Sequence, residues 1–252
     1  MTPISLDRGA GMYPLALQAL RLLPAPLALM VVGLTLLEVV SMFLSSGAGL
    51  AFGRLFLQMI WFFAVHRLLL SGGAVTNSAA MTTAEGKLSW KFLGFLVLSV
   101  LPAVAITLAI LLGTDALASL DMASVLPVIG AAFLAYMLTL TLVGTVFPSI
   151  ADTGKAHIGA ELNRGLRHAG PTFLRLLAGP LVVHAAAFGG LLWLAGQGVP
   201  VDVIDEFGQF SVVGTVIAML AYLLSAYAMA LVAVILCRVY RSEVAPDADI
   251  FD

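Results

Sequence analysis

Charge is scarce in this chain. Asp, Glu, Lys and Arg together supply 10 % of the 252 residues, where soluble domains carry roughly a quarter, so composition argues against a water-solvated globule. The formal balance of −2 leaves no basic excess for a phosphate backbone, and nucleic acid is not an expected partner. Cysteine is all but missing. Cys237 stands alone, which rules out an intramolecular disulfide, and at the end of an apolar run it reads as a small packing residue. Catalytic and nucleotide signatures are missing as well, with no Gly-x-Ser-x-Gly, His-Glu-x-x-His or phosphate-loop pattern. The 24 glycines fall where helices pack and chains turn. No metal or cofactor is implied, and no acid, base and nucleophile set can be assembled. The expectation is a non-enzymatic protein.

What is present is apolar. Hydrophobic residues make up 61 % of the chain, gathered in six runs: Pro24–Ser46, Leu50–Leu70, Lys91–Leu112, Ser124–Pro148, Phe173–Gly196 and Phe210–Cys237. Each is near or above the ~20 residues that cross ~30 Å of hydrocarbon. Backbone polar groups find no water in lipid, so runs of this length are helices, and the period-2 alternation of a membrane β-barrel is missing. The predicted fold is an all-α polytopic membrane bundle of six transmembrane helices in three hairpins, with amphipathic interfacial segments. Residues 1–23 form an amphipathic entry, 24–237 the six-helix domain and 238–252 an acidic tail. Ser46-Gly47-Ala48 imitates a signal-peptide cleavage site. The run before it is too long, however, and Glu38 interrupts it, so the first span is read as retained.

The few charges are sorted by side. Arg8, Arg21, Arg67, Lys87, Lys91, Lys155, Arg164, Arg167, Arg175, Arg238 and Arg241 lie at one end of the spans, and only Arg54 lies at the other. The loops at that other end carry Asp115, Asp121, Asp202, Asp205 and Glu206. Lys and Arg are held in the cytoplasm during insertion, so both termini are expected there. Basic amphipathic stretches, Leu15–Leu23, Ala84–Phe92 and Gly159–Arg175, precede the three hairpins. In the third, Leu162 and Leu166 share a helical face while Arg164, Arg167 and His168 point elsewhere. Such segments are expected in the membrane interface, with Arg164, Arg167 and Arg175 as candidate contacts to anionic lipid headgroups. The alternative is topogenic charge without lipid specificity.

Glu38 is the sharpest anomaly, an acid inside Leu34-Thr35-Leu36-Leu37-Glu38-Val39-Val40. An intramembrane carboxylate costs about 3 kcal/mol on insertion scales and is a functional candidate by default. Arg54 begins the next span across a short turn, so a Glu38–Arg54 pair is one reading. A water-facing proton or cation site is a second, and a protonated, unpaired acid a third. His184 lies near mid-depth of the fifth span, and Tyr136, Thr139, Tyr222 and Ser225 are available partners; with Glu38 they could line a polar central cavity. Asp202, Asp205 and Glu206 would share one face of a helical loop, as a hard cation requires, although a solvated acidic loop explains them equally. Small residues form stripes at Gly214, Ala218, Ala221, Ser225 and Ala228, at Ala185, Ala186, Gly189 and Gly190, and at Gly130, Ala131 and Ala135. These read as the internal seam of the bundle, with a homo-oligomer or partner face as the alternative. Pro102 and Pro180 should kink their helices.

Trp61 followed by His66-Arg67-Leu68-Leu69-Leu70, and the Glu161–Leu177 entry to the fifth span, carry a resemblance. With six spans in three hairpins, the chain resembles an uncharacterised family of bacterial inner-membrane proteins, similar to the membrane domain of some glycerophosphodiester phosphodiesterases. No segment here outside the spans is long enough to hold the phosphodiesterase domain itself. The resemblance implies a fold and a bacterial inner-membrane location, not an activity. The expected role is that of a scaffold or accessory protein, associated with membrane lipids or a membrane-protein partner. The competing reading is a small-molecule or ion transporter or channel using Glu38, which would need a polar cavity open to one side.

Overall fold

Pro24 opens the first long helix. Its fixed φ suits the first helical turn, and it disfavours the α region for the residue before it. Leu23 accordingly sits at φ −118°, ψ 55°, which separates a short entry helix, α1 (Met12–Leu22), from α2 (Pro24–Phe43). The computed structural model describes residues 10–43, 47–71, 90–113, 122–204 and 209–244. Arg8, Lys87, Asp115, Asp121, Asp205, Glu206, Ser46 and the tail beyond Val244 lie outside the described residues.

The chain continues with α3 (Gly47–Ser71), α4 (Trp90–Gly113), α5 (Met122–Val143), α6 (Val146–Thr153), α7 (Ile158–Arg167) and α8 (Ala169–Leu176). A π-helical turn, Leu177–Leu181, joins α8 to α9 (Val182–Gly196), and α10 (Val212–Val244) is a single helix of 33 residues. Six helices, α8 through α9 being counted as one, are long and apolar enough to cross a membrane. The chain is an all-α, multi-pass membrane bundle. Its three hairpins are real packing units: α2 lies on α3, α4 on α5, and α9 on α10. Because α10 also packs on α1, α2 and α3, it is the axis of the bundle. Trp61 of α3 is fully buried and donates its indole N–H to the Ala226 carbonyl of α10 at 2.9 Å.

Two sequence expectations are corrected. The fourth span does not run to Pro148. It stops at Val143, and after a turn at Gly144-Thr145 the chain enters α6, which is buried from Val146 to Ala151 and fills the basic end of the bundle. Gly154 at φ 70° ends it in the left-handed conformation that favours glycine. Past Cys237, α10 carries on through Val244 with Val239 and Tyr240 still buried, so the first residues of the 238–252 tail are helical and packed on the bundle. The small-residue stripes are not all internal. Gly214, Ala218 and Ala228 of α10 are buried, whereas Ala185, Ala186, Gly189 and Gly190 of α9 and Gly130 of α5 face outward, and a Cβ at any of these glycines would meet nothing. Along α9 no residue is fully buried, because this helix rests on α10 along one narrow line. Pro180 falls within the π turn, whose wider ring absorbs the lost donor.

Basic residues at the end holding α1 and α6–α8 have a structural use. Arg67 donates to the Ala151 carbonyl at 3.0 Å, Lys91 to Gly154 at 3.2 Å, and Arg241 to Leu70. These carbonyls sit at the closing turns of α6 and α3, which lack intrahelical partners and carry the negative end of the helix dipole.

Candidate functional site: an intramembrane cavity and a charged node

The α4–α5 hairpin packs on α3 through α4, while α5 meets α7 and α8 only at the basic end. It meets α9 where the Phe133 ring lies against His184, with centroids 5.3 Å apart. A cavity of about 480 Å³ remains between this hairpin and helices α3, α9 and α10, within the ~300–1,000 Å³ of ordinary ligand pockets. Its walls are apolar except for Gln58, Thr107, Tyr136, His184 and Ser225. Phe62 is part of the wall and packs on Phe147 at 5.2 Å and Phe92 at 5.8 Å. One turn further along α3, His66 is fully enclosed against Phe62 at 4.4 Å. Its Nδ1 bonds the Phe62 carbonyl at 2.8 Å, which leaves Nε2 buried without a hydrogen-bond partner among the described residues.

Tyr136, His184 and Ser225 thus line one cavity, and Glu38 is not in its wall. His184 holds its own helix, with Nδ1 2.9 Å from the Pro180 carbonyl, so Nε2 is the nitrogen left for the cavity. Tyr136 is hydrogen-bonded to Ser99. Gln58 and Thr107 were not anticipated. A glutamine in a span otherwise reading Leu-Phe-Leu-Gln-Met-Ile was the available signal, overshadowed by the charged Arg54 four residues earlier.

The Glu38–Arg54 pair is not formed. Glu38 Oε2 accepts the Tyr222 hydroxyl at 2.5 Å, and Arg54 is exposed. All ion pairs among the described residues lie at the basic end. The reason is facial. Met30, Val31, Leu34 and Thr35 form the buried side of α2, and Glu38 continues that side toward α10. Tyr222→Phe should therefore cost about 1.5–3 kcal/mol, as for a hydrogen bond to a charged group, and Arg54→Gln less than about 1 kcal/mol. Denaturant unfolding of the two variants checks this, and equal losses would put Arg54 back as the partner.

The expected headgroup contacts divide. Arg164 is corrected outright: it is buried, pairs with Glu161 through Nη1, donates from Nε to Glu243 Oε2 at 3.3 Å, and covers the Tyr240 ring at 4.9 Å. Arg167 also donates to Glu243, at 2.8 Å, yet its side chain stays 65 % exposed. Arg175 is exposed and in no ion pair among the described residues. Glu243 is the hub that sequence reasoning missed. It receives Arg164, Arg167 and, at 3.0 Å, His168 Nε2, and one turn earlier Tyr240 donates to Asp152 at 3.1 Å. Among the described residues no three His, Cys, Asp or Glu side chains gather as metal ligands.

No family model matches this chain, and no curated protein or solved structure matches it either. What it does has to be argued from its own chemistry.

Proposed function

We propose that the chain is a non-enzymatic, lipid-associated accessory protein of a bacterial inner membrane, with both termini in the cytoplasm. The observation carrying this reading is the reversed polarity of α7. Two of its three charged residues, Glu161 and Arg164, are buried with Gly165 against the protein, and only Arg167 stays exposed. Its apolar side, Ile158, Leu162 and Leu166, is turned outward, each exposed by more than a third. A helix that buries Glu161 and Arg164, presents leucine and leaves one arginine at its end suits the boundary between hydrocarbon and headgroups. Leu174 on α8, also exposed, adds to the apolar surface at the same end. Arg167 and Arg175 remain available there to anionic headgroups. The concentration of Lys and Arg at this end supports the cytoplasmic assignment, and the sequence resemblance supports the compartment. The absence of an assembled acid, base and nucleophile set motivates the non-enzymatic part of the proposal.

The transporter reading draws less support. Its acid, Glu38, is engaged by Tyr222 and is not part of the cavity wall.

The test is depth. In a Cys237→Ala background, an environment-sensitive fluorophore at Leu162→Cys or Leu166→Cys should be quenched by lipids brominated on their acyl chains. The same fluorophore at Lys155→Cys should respond instead to aqueous iodide. Equal iodide quenching at 155 and 162 would place α7 in water and remove the reading.

A further inference from the structure

We propose that the cavity between α3, α4, α5, α9 and α10 is a binding site for an uncharged lipid with a hydroxyl-bearing head. This rests on the reading of the chain as a lipid-associated membrane protein and names the ligand and its place.

The argument starts from the walls. No Asp, Glu, Lys or Arg lines the cavity. A charged head drawn into it would lose its solvation and meet no counter-charge. Phospholipid and fatty-acid carboxylate heads are thereby excluded. A bare hydrocarbon would fit the apolar walls, but it would leave the polar groups unanswered. Among those groups Thr107 is satisfied by the Ala103 carbonyl at 2.9 Å and Tyr136 by Ser99. Gln58 and Ser225 make no side-chain hydrogen bond among the described residues, and His184 keeps Nε2 free of its own helix.

Three cavity groups from three helices are thus left over: an amide, a hydroxyl and an imidazole acceptor. All three are half-buried around the cavity, and at hydrocarbon depth a polar group without a partner is costly. A hydroxyl is the smallest uncharged head that can answer both kinds, since it donates to an imidazole nitrogen and accepts from an amide N–H or a serine O–H. A carbonyl head accepts only, and would leave His184 Nε2 unanswered. The occupant comes from the medium around it, because all five wall helices belong to apolar, membrane-length segments.

The experiment uses the full chain in phosphatidylcholine vesicles with a monoacylglycerol carrying a diazirine in its acyl chain. Irradiation should label cavity-wall peptides of α5 and α10, and unlabelled monooleoylglycerol should compete. Oleate, methyl oleate and octadecene have the same chain length but a charged, a carbonyl or no head, and each should compete at least tenfold more weakly. Ala132→Trp fills the cavity and should abolish wall labelling. His184→Leu should weaken competition about tenfold, as for one lost hydrogen bond, and it keeps the test alive if the tryptophan variant does not fold. Labelling confined to outward residues such as Leu98 or Leu220, or equal competition by methyl oleate, would overturn the proposal. The quenching at position 162 does not depend on the cavity. Retained quenching with no wall labelling would sink the binding site and leave the lipid-associated reading standing.

Discussion

Replacing Gly165 by alanine is expected to cost at least about 3 kcal/mol, although alanine is the better helix former by roughly 1 kcal/mol. A Cβ at this position would run into the Leu142 carbonyl and press on the carbonyl of Thr141. Both obstacles are backbone of α5, and neither can swing aside as a flexible side chain would. The whole of α7 must move, and overpacking of this kind costs ~1–3 kcal/mol before any further loss. The further loss is present here, because Glu161 and Arg164 share the buried side of α7 with Gly165 and depend on the same placement for their ion pairs. Gly159, in the same helix, is the internal control. A Cβ there meets nothing, so Gly159→Ala should be neutral or slightly stabilising. Denaturant unfolding in detergent measures both. Equal midpoints for the two variants would mean that α7 does not sit against α5 as described.

This contrast also marks how much was legible in the sequence. The six spans were readable because hydrocarbon imposes both a length and a composition, and each is satisfied within one contiguous stretch. Side-chain partners were not, because they depend on which helices pack. Arg54 drew attention as the partner of Glu38 because only a short turn separates their helices. Tyr222, the actual partner, is 184 residues away. The buried side of α2, Met30, Val31, Leu34 and Thr35, carries Glu38 toward α10, but in a run so uniformly apolar the sequence shows no stripe to mark that side. The same limit governs α7. Periodicity showed that Leu162 and Leu166 share a face apart from Arg164. It could not say which face meets protein, and beside a membrane the usual assignment of charge outward reverses. Glu243, which draws the charges inward, is the residue to which Arg164, Arg167 and His168 all bind, and no local pattern around it announces that.

The charged node yields the second large effect. Arg164→Leu should destabilise the protein by about 3–5 kcal/mol, since removing one member of a buried pair leaves the other uncompensated. The stranded group is Glu161, whose side chain is 3 % exposed. Glu243 would not be stranded, because Arg167 and His168 still bind it. Removing the stranded acid as well, in Arg164→Leu with Glu161→Leu, should recover most of the loss, because apolar side chains can replace a buried pair at little cost. The two changes are then strongly non-additive, as expected for residues in contact. Arg167→Leu should cost no more than about 1 kcal/mol, the range of an exposed ion pair, although its contact with Glu243 is the shorter of the two, 2.8 Å against 3.3 Å. Burial rather than distance sets this ranking, and denaturation midpoints of the four proteins read it directly. If Arg167→Leu were instead as costly as Arg164→Leu, α7 would be held to α10 by surface charge. Its apolar face would then owe its outward orientation to something other than the buried Glu161–Arg164 pair.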